Sequence, residues 1–226
     1  MLALVSVAAA HALDEDMLPL IAALDCAGIK HQVAYWDDAS IDWSSFQAVL
    51  IRSPWDYIEK LPEFLAWAKM VSEKSILLNP LSVSTSNTDK HYLQELRALG
   101  IKTVPSRFIE PEHHAEDGLK DFLDAFAHAE FVVKPAVGAG SKDAQRYGRE
   151  EIEAALMHIR RMQLKNRSTL LQPYLSKVDS AGETALMYFN GTFSHAIRKG
   201  PLLERNEGLT EKLFAPEQII ARVPSE

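Results

Sequence analysis

Disulfide chemistry has almost nothing to work with here: a single cysteine, Cys26, stands in 226 residues. One thiol cannot close an internal bridge, so a reducing, cytoplasmic setting is expected. Cys26 lies in the apolar run from Leu20 to Ile29, and a buried structural thiol is expected there rather than a nucleophile. Long apolar runs are also missing. None nears the roughly 20 residues of a membrane span, and no membrane partner is expected. The opening MLALVSVAAA has no basic n-region and is followed by acidic Asp14-Glu15-Asp16, so a buried first strand fits it better than a leader. Basic tracts are scarce too. The net charge of −7 argues against nucleic acid as a partner. The densest basic cluster, Arg160-Arg161 with Lys165 and Arg167, reads as a solvated helix end. Neither the Walker pattern nor G-x-G-x-x-G occurs, which removes support for P-loop and Rossmann nucleotide binding. His91, His113, His114, His128, His158 and His195 are scattered without metal-ligand spacing, so no metal ligand is assigned.

What is present is an alternation of apolar runs and helical patterns. Residues 2–8, 31–36, 48–53 and 76–79 read as short strands. Helices over 14–27, closed by Gly28, and over 61–73, with Pro62 in its first turn, fall between them. That order implies a small parallel sheet with helices on both faces, over residues 1–80. The style then changes. The pattern predicts a helix over 87–99, a strand over 103–109, an acidic turn-like stretch to Gly118 and a helix over 119–129. Strand FVVKPAV (131–137) leads into a glycine-rich loop, a helix over 149–162 and strand TLLQPYL (169–175). A hairpin follows, its arms 183–189 and 192–199 joined by Asn190-Gly191, the favoured pair for a two-residue turn. Counting outward from that turn places Glu183 opposite Arg198, on one face of the sheet. From Gly200 onward the pattern is weak. The fold class expected is α/β, the second part a mixed α and β domain over 81–226.

Two places carry chemistry. Lys134 near the end of an apolar strand has its stem buried and its charge aimed outward. Gly138 and Gly140 in the next loop let backbone amides approach a phosphate, and Ser141 and Lys142 add a donor and a charge. The plainer alternative is a snorkelling edge lysine. Lys90, at the start of a predicted helix, is disfavoured by the helix dipole unless an anion is served. Asp179 stands in a polar loop, where turn chemistry alone would also explain it. In the first part, Arg52-Ser53-Pro54-Trp55-Asp56-Tyr57 follows strand 48–53 directly, at the end where open α/β sheets bind ligands. Arg52 suits a carboxylate and Asp56 an amine. An internal Arg52–Asp56 pair is the alternative.

The order of these pieces resembles the ATP-grasp superfamily over residues 80–200, with a glutathione-synthetase-like domain in front. The resemblance implies ATP as cofactor. Lys90 and Lys134 would contact its phosphates, and the loop of Gly138, Gly140 and Ser141 would close over them. The backbone of Gln172, Pro173, Tyr174 and Leu175 would meet the adenine edge, and Asp179 would hold the ribose. Arg198 would touch the transferred phosphate as the catalytic residue, oriented by Glu183. The phrases RSPWDY, LLNPL, TDKHYL, VVKPAV, LQPYL and FSHAIRKG resemble one branch, the ATP-grasp ligases that close the ring of O-ureido-D-serine in D-cycloserine biosynthesis. A small amino-acid-like substrate bound by Arg52, Asp56 and Glu183 is therefore expected, with release of ADP. A ligase of two separate molecules and an inactive nucleotide-binding module remain alternatives. A homodimer is compatible with the family. The family's Mg²⁺ ligands sit on late strands, expected here beyond Glu226. Glu204, Glu207, Glu211 and Glu217 do not match them, and the chain by itself is expected to bind nucleotide weakly and turn nothing over.

Overall fold

The computed structural model describes residues 1–203, 208 and 218–224; the acidic tail residues Glu204, Glu207, Glu211 and Glu217 lie outside them. The chain divides into two compact units, Met1–Tyr92 and Leu93–Glu226.

The first unit is built on four parallel strands, β1 (Leu2–Ser6), β2 (His31–Tyr35), β3 (Ala48–Ser53) and β4 (Ile76–Leu78), in the order β2-β1-β3-β4. The central strand β1, buried from Ala3 to Ser6, is covered on both faces. Between them lie α1 (Ala8–His11), α2 (Met17–Cys26) and α3 (Leu61–Ser72). Pro62 sits in the first turn of α3, where its missing N–H costs nothing. The core is aromatic: Trp36, Trp43, Phe64 and Trp67 are buried together, and the Phe64 and Trp67 rings stack at 5.4 Å. Each such side chain contributes roughly 1.5–3 kcal/mol on leaving water.

Cys26 is exposed, against expectation. Helix α2 turns Met17 inward, with Leu20, Ile21 and Leu24 half-buried behind it, a stripe at helical spacing. Cys26 falls off that stripe. The helix expected over 87–99 begins only at Tyr92, as α5 (Tyr92–Ala98), and a separate helix, α4 (Leu81–Asn87), ends where it was expected to start. Asp89 explains the break: its carboxylate accepts from the His91 N–H and its carbonyl from the Tyr92 N–H, starting a new helix. Lys90 therefore lies in a turn ahead of α5 rather than inside a helix.

The second unit holds two antiparallel sheets. One contains β5 (Arg107–Ile109), β6 (Glu130–Pro135), β7 (Gln145–Gly148) and β8 (Thr169–Pro173), in the order β5-β8-β6-β7. Strand β5 starts four residues later than the pattern predicts, because Pro105 lacks a ladder donor and restricts Val104. Helix α6 (Ala115–Ala125) starts earlier than expected. Glu116 and Asp117 complement its N-terminal dipole, and Gly118 inside it lets the helix lie against Ile109, where a Cβ would meet that side chain at 2.7 Å. Helix α7 (Ile152–Leu164) packs with α6 over a core of Phe122, Phe131, Ile159 and Leu171. After α8 (Lys177–Ala181) comes the second sheet, β11-β10-β9, formed by β9 (Glu183–Phe189), β10 (Thr192–Lys199) and β11 (Ile219–Arg222).

Candidate functional site

The second unit brings together most of the residues read as nucleotide contacts. Strands β6 and β7 form a hairpin whose connection, residues 136–144, is the glycine-rich loop. Gly140, Ser141 and Asp143 all have left-handed backbone, with φ of 59°, 59° and 57°. Gly138, Gly140, Ser141 and Lys142 are half-buried around it. Lys134 leaves β6 just ahead of the loop. Burial pushes its ammonium below the ordinary lysine range, and the charge of Glu183 opposes that shift. A cation held in this way is poised for an anion.

Strand β8 runs between β6 and β5, but β5 pairs with it only as far as Leu171. Hydrogen bonding to β6 alternates along β8. Tyr174 donates its N–H to the Glu130 carbonyl at 3.0 Å, and Gln172 stands opposite Val132. The Pro173 carbonyl and the Leu175 N–H therefore turn to the other flank, past the end of β5. An acceptor and a donor two residues apart on an open strand edge match the edge of an adenine ring. Proline is tolerated at 173 for the same reason: with no strand opposite, no ladder donor is needed. The Gln172 side chain is buried and donates to Ser106 Oγ at 2.8 Å, tying the segment before β5 to this edge.

Asp179, on α8, is held from two sides. Arg146 Nη1 and Nη2 donate to its two carboxylate oxygens at 3.0 and 3.1 Å, and Tyr174 Oη donates to Oδ1. The tyrosine bond, with Arg146 behind it, lowers the Asp179 pKa, while burial and the same bond push Tyr174 up to about 12. Arg146 also donates to both oxygens of Glu130, and its guanidinium lies 3.6 Å from the Tyr174 ring centroid. The sequence reading missed Arg146 altogether, because β7 is short and polar.

Glu183 and Arg198 do not pair. Ser194 bulges out of β10, so beyond it Arg198 stands opposite Thr184 and Lys199 opposite Glu183. The bulge shifts the register by one residue, and Glu183 and Arg198 point to opposite faces. Glu183 reaches toward Lys134 instead. Arg198 donates Nε to the Ala181 carbonyl at 2.8 Å and Nη2 to the Ser180 carbonyl at 3.3 Å, so the end of α8 orients it.

The basic cluster after α7 is not simply solvated. Arg161 Nη2 and Arg167 Nη1 donate to the two oxygens of buried Asp143 at 2.9 and 3.0 Å, and Arg167 Nη2 donates to the Val137 carbonyl at 2.8 Å. Arg160 pairs with Glu116.

In the first unit the strand order reverses beside β1, so the carboxyl ends of β1 and β3 flank the ligand-binding crevice of an open sheet. Arg52 stands at that end. Its Nη2 donates to Asp14 at 2.6 Å and to Asp16 at 3.1 Å, not to Asp56. Asp14 is buried, and its second oxygen has no partner among the described residues. Asp56 accepts from Trp36 Nε1 at 2.8 Å and from Lys60 Nζ at 3.1 Å. Lys90 belongs to this same unit and is half-buried in the turn before α5. Among the described residues no three His, Cys, Asp or Glu side chains gather where they could hold a metal ion. Nor is any described helix long and apolar enough to cross a membrane.

Residues 2–79 match the family described as D-cycloserine synthetase DcsG, N-terminal domain. The cycloserine biosynthesis protein DcsG of Streptomyces lavendulae is 43% identical over 203 residues, covering 89% of this chain and 68% of that protein. The crystal structure of D-cycloserine synthetase DcsG superposes with a TM-score of 0.89 at 40% identity, over 98% of this chain and 75% of the other. A D-alanine–D-alanine ligase from Bacillus anthracis shares the fold, with a TM-score of 0.65 at 15% identity over 99% of this chain and 72% of that one.

Proposed function

The chain belongs to the D-cycloserine synthetase family of ATP-grasp ligases, and on that premise we propose that it uses ATP to activate the carboxyl group of O-ureido-D-serine for ring closure to D-cycloserine. The observation that carries the nucleotide half is the open edge of β8. In this reading adenine pairs with the Pro173 carbonyl and the Leu175 N–H. A ribose hydroxyl takes the place left on Asp179. That carboxylate offers about four lone-pair sites, and Arg146 and Tyr174 use three. The phosphates fall to Lys134, to the amides of the loop at Gly138 and Gly140 and to Ser141. Arg198 meets the transferred phosphate from the end of α8.

Phosphoryl transfer to a carboxylate needs positioning and charge neutralisation more than covalent help from the protein. Lys134 supplies a charge that burial leaves thinly solvated. Mg²⁺ bound together with the nucleotide would add to that neutralisation of the phosphates. The acyl phosphate so formed is attacked by the ureido nitrogen bonded to oxygen; phosphate leaves with the proton lost from that nitrogen, and hydrolysis by water then removes the carbamoyl group as carbon dioxide and ammonia to leave D-cycloserine.

For the amino-acid substrate, the cluster at the ends of β1 and β3 supplies Arg52 for a carboxylate. The unpartnered oxygen of Asp14, with Asp56 four residues after Arg52, suits an ammonium group. The test is ATP titration by calorimetry, followed by ADP release with O-ureido-D-serine and identification of the product. Failure of the chain to bind ATP would remove the nucleotide assignment. Binding without any response to O-ureido-D-serine would remove the substrate.

A further inference from the structure

The glycine loop contains two left-handed residues that are not glycine, Ser141 and Asp143. Such a backbone is costly for residues with a Cβ and persists where the surroundings dictate it. The surroundings here are two arginines that lie outside the loop. Arg167 is bidentate in function: Nη2 donates to the Val137 carbonyl at 2.8 Å, Nη1 to Asp143 Oδ2 at 3.0 Å. One planar guanidinium thus ties the start of the loop to its last turn. Arg161 adds a bond to Asp143 Oδ1 at 2.9 Å. Inside the staple, the Lys142 N–H reaches the Ala139 carbonyl at 3.1 Å and the Ala144 N–H reaches the Ser141 carbonyl at 3.0 Å. The sign of φ alternates from Ser141 through Lys142 to Asp143, a pattern that turns backbone N–H groups into a concavity suited to an anion.

We infer that Asp143, Arg161 and Arg167 are positioning residues that fix the loop in its phosphate-receiving shape before nucleotide arrives, and so set the preference of the site for a nucleotide with a terminal phosphate. This rests on the nucleotide reading above. Neither arginine needs to touch ATP. The gain comes from ordering the loop in advance, so that binding does not have to do it.

The two arginines make different predictions. Lysine at 167 keeps a charge but cannot span Val137 and Asp143 together, whereas lysine at 161 can keep its single contact. Calorimetry with ATP, ADP and AMP on the full chain should show Arg167→Lys weakening ATP about tenfold, which is about 1.4 kcal/mol, with AMP changed less than twofold. Arg161→Lys should cost clearly less. Asp143→Asn, close to the native shape, should repeat the Arg167→Lys profile if that variant folds poorly. Without nucleotide, tryptic cleavage after Lys142 should accelerate in Arg167→Lys while the melting temperature holds. Equal losses for ATP and AMP, or an unchanged cleavage rate, would overturn the inference and leave a plain structural contact. If the wild-type chain binds no ATP, the nucleotide reading falls, and the cleavage measurement still decides whether the arginines hold the loop.

Discussion

Lys134 is the side chain on which the nucleotide reading depends most. It combines burial, a lowered pKa and a place one step ahead of the loop. Lys134→Ala should weaken ATP binding by roughly 1.5–3 kcal/mol, the worth of a charge-assisted contact, as calorimetry would measure; equal affinity in the two proteins would remove Lys134 from the site. Gly182 is a residue of another kind. Its φ is +69°, and a Cβ there would stand 2.4 Å from the Lys199 carbonyl and 2.8 Å from Arg198 Nε. Left-handed strain and a backbone clash act together, so Gly182→Ala should lose about 2–4 kcal/mol in urea unfolding. The variant should also release Arg198 from the end of α8. A change under about 0.5 kcal/mol, the range of neutral surface substitutions, would show that the backbone yields there without cost.

At the scale of elements, α7 carries a titratable group into the core. His158 is buried, with Nδ1 3.0 Å from the Tyr147 hydroxyl. Burial, helped by the charge of Arg161, lowers its pKa from 6.5 to about 4. The unfolded chain therefore takes up a proton below pH 6.5 that the folded chain refuses down to about pH 4. Stability is complete above pH 6.5 and should fall through that window, by up to about 3 kcal/mol from this group. Denaturant midpoints between pH 7 and 4.5 should flatten in His158→Gln relative to wild type, and identical slopes would remove His158 as the cause. The elements that sequence made legible are those whose signals are local. Strand β3, the strand bearing Lys134, β8 and the Asn190-Gly191 turn each declare themselves within a few residues. Strand β7 was lost because Gln145-Arg146 has no apolar alternation, and β11 because its four residues, Ile219–Arg222, are too few to stand out in a weakly patterned tail. The Ser194 bulge was invisible to counting from the turn, and that one residue misplaced Glu183 against Arg198. The site divides in the same way. Lys134 and its loop could be read in one stretch. The bonds of Asp179 to Arg146 and of Asp143 to Arg167 join residues 33 and 24 apart, and only the paired sheet brings those together.

For the whole molecule, the division into Met1–Tyr92 and Leu93–Glu226 also divides the chromophores. All four tryptophans, Trp36, Trp43, Trp55 and Trp67, belong to the first unit, and three of them are buried in its core. The β8 edge, Lys134 and the glycine loop belong to the second. Intrinsic fluorescence is consequently a one-sided witness. Trp36 donates its indole N–H to Asp56, and Trp55 lies within the segment that follows Arg52. An amino acid arriving at Arg52 should therefore change the emission, while ATP settling on the Pro173–Leu175 edge should leave it nearly constant. Titrating each ligand alone would make the chain report which half it has used. An emission change with ATP as large as that with the amino acid would show that nucleotide also acts on the tryptophan-bearing residues, contrary to this expectation.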